Sequence, residues 1–477
     1  MIKPPPLNFR TKLFYGFGTV AFGVKDNGFS YLLLPFYNQV VGLSAPLVGL
    51  AILVAMTCDA LMDPIIGQVS DHWRSRWGRR HPFMYAAALP VAVSYLLLWN
   101  PPHASHTVLF FYLVAVAVLI RTFISVYEVP SSALAAELSQ GYDERTVLLS
   151  YRYFFGWIGG LVLYIIAFRF LLVPDAHHPV GQTNPVGFSR YGLLGAGMML
   201  AAILISTAGT HDRIKTLRQV PVRKIGLAAM AREIVATWSH RSFLFLTLSG
   251  VATSMAAGLA ASMNFYFNTY FWGFSSKQIS FLAAGVLVSA FAALALAPLA
   301  SRLFGKRASA IGAVTLSVVV GLTPMMLRLA HLMPPNHSEA LFYIVFAQSI
   351  ISVSFGIAGA TMVSAMIADV VEDGELKTGR RAEGVYFSAS IMISKAVSGA
   401  GIFAASGVLG LINFPVGVAP GNVPASVLTH LALTYAPIYA ALYVAGFTLM
   451  MGYKITRASH AETLEALAAR AAAAAAE

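Results

Sequence analysis

Apolar runs of about the twenty residues a helix needs to cross a hydrocarbon core alternate with short polar stretches along the whole chain. Such windows fall near 14–40, 45–70, 83–100, 107–137, 148–173 and 191–209, and then near 242–272, 278–300, 308–329, 340–371, 384–412 and 430–453. The pattern predicts an all-α membrane protein of 12 transmembrane helices, spans 1 to 12, in two six-helix bundles. The polar connection at 210–241 is the expected boundary. It separates an N-terminal bundle, 1–209, from a C-terminal bundle, 242–455, which is followed by a tail at 456–477. Within the connection Ile225, Leu227, Met230, Ile234 and Trp238 recur at helical spacing. They fit either an amphipathic helix on the inner leaflet or a connector with a solvated basic face.

Basic residues stay in short cytoplasmic loops. Lys3, Arg10 and Lys12 precede span 1, Arg74, Arg76, Arg79 and Arg80 follow span 2, Arg302, Lys306 and Arg307 follow span 8, and Lys377, Arg380 and Arg381 follow span 10. The alternate loops at 41–44, 101–106, 331–338 and 413–429 hold no Lys or Arg, so both termini are expected in the cytoplasm of a bacterial-type inner membrane. The start MIKPPPLNFRTK lacks the pattern of a signal peptide, and the first apolar run is expected to remain as a span. Only 11% of the residues are charged against 57% hydrophobic, which makes lipid the solvent. The net charge of +12 then reads as topology rather than as a nucleic-acid surface. One cysteine, Cys58, excludes a disulfide framework, and the twelve histidines show no metal-ligand spacing. No glycine-rich phosphate loop supports direct ATP coupling. A monomer without cofactor is expected, its partners being membrane lipids and a small molecule.

A weak repeat, SRWGRR at 75–80 and SRLFGKR at 301–307, supports two related halves around a midplane site. The chemistry is carried by ionisable residues inside spans, each costing roughly 2.5–3.5 kcal/mol at a helix centre. Asp59 and Asp63 in VAMTCDALMDPIIG lie four residues apart on one face of span 2. Two carboxylates that close need a cation or a proton between them, and pairing with basic neighbours is the structural alternative. Lys25 and Asp26 sit near the middle of span 1. Arg121 and Glu128 are two turns apart on span 4, either pairing with each other or meeting a ligand. Arg152 opens span 5 among aromatics. Lys395 stands alone in span 11 and needs a carboxylate, for which Asp59 and Asp63 are candidates unless it snorkels to an interface. Asn264 and Asn268, with Tyr266 and Tyr270, offer span 7 groups for a hydroxylated ligand, whereas Trp272 reads as a membrane-interface anchor. Asp369, Glu372 and Asp373 end span 10 near Arg380 and Arg381, as a solvated cluster or a gating salt bridge.

The motifs KLFYGFGTVAFGVKD, VVGLSAPLVG, CDALMDPIIGQVSDHWRSRWGRRHPF, YEVPSSALAAEL, ADVVEDGE and ISKAVSG resemble, in order and span position, those of the glycoside-pentoside-hexuronide cation symporters. These form the melibiose-permease branch of the major facilitator superfamily. The resemblance implies the major facilitator fold, not an enzyme, and cation-coupled symport, with H+ or Na+, of a glycoside, oligosaccharide or sugar acid by alternating access. It implies Asp59 and Asp63 as cation ligands, with Ser125 supplying the hydroxyl that the family takes from threonine. Asp26 and Glu128 would hold sugar hydroxyls, and Arg152 and Lys395 would be functional in binding and coupling.

The chain departs from the family pattern at three places. Met62 stands where sodium-coupled relatives have an asparagine oxygen, which shifts the expectation toward a proton. Ser131 and Ser132 replace an aromatic stacking residue, and the span 4 acid is Glu128 rather than an aspartate. A lysophospholipid carrier of the same clan shares the span 2 aspartates and the lysine. An intramembrane prenyltransferase using DALMD and DVVED to hold magnesium pyrophosphate is the alternative of another class.

Overall fold

A computed structural model describes residues 7–139, 142–176, 178–214, 241–378 and 383–476, without the side chains of 142–143, 377–396, 457 and 470–476. Each sequence window becomes helix. Spans 2 to 6 are Ala45–His72, His81–Leu98, His106–Leu138, Tyr142–Ile166 and Pro185–His211. Spans 7 to 12 are Arg241–Tyr266, Ser276–Phe304, Lys306–Leu329, Glu339–Thr378, Glu383–Leu411 and Ala425–Met450, and a helix Arg457–Ala476 follows. Among the described residues, 10 helices are long and apolar enough to cross a membrane by themselves. Span 1 is not among them because it is built in pieces. Helices Phe9–Phe17 and Val20–Asn27 meet at Gly18–Thr19, and two π turns, Gly28–Leu32 and Phe36–Val40, flank Leu33–Pro35. Span 11 also falls short by that measure, since Val397–Leu411 is its apolar part with described side chains.

Helix rotation follows from two apolar solvents. In span 2, Val48, Ile52, Ala55, Asp59, Ile66 and Ser70 are buried, while Leu50, Val54, Leu61, Ile65 and Val69 are exposed. Both stripes recur at steps of three, four or seven residues, which keep one helix face; lipid accepts the second, so the helix needs no polar face. The polar Asp59 and Ser70 are therefore on the protein-facing stripe.

The chain divides into two compact units. The first comprises Met1–Lys224, Ala261–Ala283 and Ile402–Val427, and the second Ile225–Ala260, Ala284–Gly401 and Leu428–Glu477. In the second, Phe243, Ala310, Met362, Met366, Val370 and Tyr453 form part of one apolar cluster. Most of the expected connector, 215–240, lies outside the described residues.

A repeat that the sequence motifs did not reveal links the ends of spans 1 and 7. Each finishes in a π turn, Phe36–Val40 and Phe267–Phe271. The amide of Val41 donates to Phe36 O at 3.0 Å and that of Leu43 to Tyr37 O at 2.8 Å. The same bonds recur from Trp272 to Phe267 O at 2.8 Å and from Phe274 to Asn268 O at 2.8 Å. Between them stand Gly42 at φ +93° and Gly273 at φ +67°, a region that favours glycine because it has no Cβ. The basic repeat also keeps its turn, with φ +74° at Gly78 and +78° at Gly305.

Candidate ion and substrate site

Asp59 is 3% exposed on the inner stripe of span 2, and span 4 brings two polar side chains to it. Arg121 Nη2 lies 2.7 Å from Asp59 Oδ2, and Ser125 Oγ donates to Asp59 Oδ1 at 2.8 Å. Arg121, 2% exposed, also stands over the Phe29 ring at 5.2 Å. The span 4 pair considered from the sequence does not form: Arg121 turns to Asp59, and Glu128 turns to Arg152. A spacing of four from Ser125 to Arg121 was the signal, since it places both on the face that meets Asp59. Asp63 lies one turn further along the helix and is half-buried, as is Met62.

One turn beyond Ser125, a second charged pair joins spans 4 and 5. Arg152 Nη2 lies 2.5 Å from Glu128 Oε1, and its Nη1 donates to Ser131 Oγ at 2.8 Å. Arg152 also stands 5.3 Å from the Tyr15 ring centroid, and the Tyr15 hydroxyl donates to Ser131 O at 3.1 Å. The Thr19 hydroxyl donates to the Arg152 carbonyl at 2.7 Å. Glu128 Oε2 is buried without a hydrogen-bond partner among the described residues. An acceptor in that state costs free energy until a donor arrives, so it is suited to a ligand hydroxyl. Sequence reasoning named Ser131 only as a missing aromatic. Its role was visible in part, because Ser131 lies three residues after Glu128 on the same helix face.

In span 1, Lys25 is 2% exposed and lies 3.8 Å from Asp26 and 4.2 Å from the Phe22 ring centroid, while the Asp26 side chain is 56% exposed. In span 7, Asn268 donates to Asn264 Oδ1 at 2.9 Å, and the Tyr164 hydroxyl reaches the same oxygen at 3.4 Å. Asn264 is exposed and Asn268 buried. Tyr266 and Tyr270 turn instead to span 1, donating to Asn38 Oδ1 at 2.9 Å and to Gln39 Oε1 at 3.0 Å. Trp272 is 6% exposed and packed inside the protein, which corrects the expectation of an interface anchor. Lys395 lies on the helix Glu383–Leu411, but its side chain is outside the described residues.

The acids ending span 10 are not simply a solvated cluster. Asp369 Oδ1 lies 2.5 Å from Lys306 Nζ, and its Oδ2 accepts from the Tyr453 hydroxyl at 3.0 Å. Burial, and then the Asp369 carboxylate, hold the Tyr453 phenol above its ordinary pKa, which keeps it a donor. His460 Nε2 lies 2.5 Å from Glu372 Oε2. Asp369, Glu372 and His460 thus present potential metal-ligand atoms within 4.8 Å of one another, a grouping the histidine spacing had not suggested. Arg380 and Arg381 lie outside the described residues.

The family model described as MFS/sugar transport protein matches residues 14–457. A putative glycoside/cation symporter, YagG of Escherichia coli, is 25% identical over 95% of this chain and 93% of its own. The isoprimeverose transporter of Lactiplantibacillus pentosus is 25% identical over 81% and 77%. Among solved structures, a D-xylose-proton symporter superposes with a TM-score of 0.63 at 14% identity, over 94% of this chain and 98% of that one. The prenyltransferase alternative falls with these matches. The chain belongs to the MFS/sugar transport protein family, within its glycoside-pentoside-hexuronide cation symporter group; it is a multi-pass membrane transporter and not an enzyme.

Proposed function

We infer that the transporter carries a sugar, glycoside or sugar acid inward by symport with a proton, binding the proton at Asp59 and Asp63 and the sugar at the Glu128–Arg152 pair. The observation that carries this reading is the Glu128 carboxylate, one oxygen of which is held by Arg152 at 2.5 Å while the other is buried and unsatisfied among the described residues. That arrangement orients an acceptor for a hydroxyl donor, and the remaining guanidinium edges suit hydroxyl or carboxylate oxygens. Asp26, Lys25, Asn264 and Asn268 supply further polar contacts in this reading, and Lys395 assists coupling. A proton needs only a carboxylate, whereas sodium needs several oxygens and Met62 offers none. Alternating access follows if neutralising the aspartates changes the relative stability of inward- and outward-open states. No contact among the described residues favours the lysophospholipid alternative.

Proteoliposomes test this directly. Sugars, glycosides and sugar acids are first screened for a thermal shift, since a ligand of the native state raises its melting temperature. The binding compound should then accumulate under an inward pH gradient without sodium. Strict sodium dependence with no pH-driven uptake would overturn the proton assignment. No bound sugar, with saturable lysolipid uptake, would overturn the substrate assignment.

A further inference from the structure

We propose that Arg121 is a tethered counter-cation that holds Asp59 against sodium and so determines the ion selectivity of the transporter. The inference rests on the reading of Asp59 and Asp63 as the ion-binding carboxylates. It assigns Arg121 to the ion, where the sequence had suggested the sugar.

Both oxygens of Asp59 are engaged from span 4: Oδ2 by Arg121 Nη2 at 2.7 Å, and Oδ1 by the Ser125 hydroxyl at 2.8 Å. Arg121 and Asp59 are 2% and 3% exposed, so water does little to screen the pair. A guanidinium does not lose its proton at any working pH, and this positive charge is therefore permanent. A sodium ion approaching Asp59 would need carboxylate oxygens that are already bonded. It would also meet a fixed positive charge about 4 Å away, which at an effective dielectric constant of about 20 weakens binding roughly a thousandfold. Met62 adds no hard oxygen on the neighbouring turn.

A proton escapes only the first obstacle: it needs no coordination shell and binds a single carboxylate oxygen, whereas the charge of Arg121 opposes it as it opposes sodium, so the selectivity rests on coordination. Protonating Asp59 also removes the charge that holds Arg121. The Nε and Nη1 atoms of Arg121 are buried without hydrogen-bond partners among the described residues. The guanidinium is thus anchored by its bond to Asp59 and by the Phe29 ring at 5.2 Å. Neutralised Asp59 holds it less firmly, which links loading of the proton to movement of span 4. Selectivity and coupling then share one residue.

The test compares wild type, Arg121→Gln, Arg121→Lys and Arg121→Gln/Met62→Asn as full-length chains in proteoliposomes. Sodium-dependent thermal shift and sodium-driven uptake of the sugar found in the screen are read together. Wild type and Arg121→Lys should show no sodium response, since each keeps a cation beside Asp59. Arg121→Gln should gain sodium-dependent stabilisation, and adding Met62→Asn should lower the sodium concentration for half effect by tenfold or more. Folded Arg121→Gln and double variants that both ignore sodium would overturn the proposal. If neither variant folds, wild type decides: sodium stabilisation there, lost in Asp59→Asn, overturns the proposal, and indifference to sodium up to 100-fold over protein supports it. The ion-site reading fails separately, if Asp59→Asn still concentrates the sugar.

Discussion

Replacing Glu128 by Gln keeps the shape of the side chain and removes its charge, which isolates what the carboxylate does for the ligand. In the structure Oε1 accepts from Arg152 at 2.5 Å, and Oε2 is buried with no partner among the described residues. A hydrogen bond from a sugar hydroxyl to a charged acceptor contributes roughly 1.5–3 kcal/mol. At about 1.4 kcal/mol per factor of ten, its loss raises the dissociation constant roughly 10- to 150-fold. Oε2 itself is buried, so solvent does not discount the bond it would make and the whole range applies. Arg152 keeps its bond to Ser131 Oγ at 2.8 Å and its stacking on Tyr15, so the variant should still fold with a lowered melting temperature. Binding of the identified sugar to purified protein, measured calorimetrically beside substrate counterflow, checks the number. Glu128→Gln binding as tightly as wild type would refute the assignment of Glu128 as the sugar acceptor.

Other expectations follow from the same geometry. Asp59→Asn and Asp63→Asn should each abolish accumulation while sparing exchange without a gradient, because an amide does not carry the proton; gradient-driven uptake at wild-type level in either would exclude that residue from coupling. Gly23→Ala should destabilise the contact of spans 1 and 5 by about 1–3 kcal/mol, since a Cβ there would collide with the Gly156 carbonyl oxygen. An unchanged melting temperature would mean that the two helices separate freely. His460→Ala should expose the helix Arg457–Ala476 to limited proteolysis by removing its 2.5 Å contact with Glu372, and an unchanged cleavage rate would show that other contacts hold the helix.

The helical spans were legible in the chain because lipid imposes a length and an apolar composition on anything that crosses it. The cost of burying charge likewise singles out Asp59, Arg121, Glu128 and Arg152 within the apolar runs of the sequence. Their partners were not legible. Helical spacing states which residues share a face but not which neighbouring helix that face meets, so the sequence left Arg121 and Glu128 either pairing with each other or meeting a ligand. Helix packing instead sends one to Asp59 on span 2 and the other to Arg152 on span 5. The same ignorance of neighbours made Trp272 look like an interface anchor, when a π turn at Phe267–Phe271 brings it to rest inside the protein. It also hid the bonds from Tyr266 and Tyr270 to Asn38 and Gln39, residues more than 200 positions away that only folding brings together. Hydrophobicity is a local property that the chain declares residue by residue. Charge pairing depends on how helices rotate and pack, which the tertiary structure alone decides.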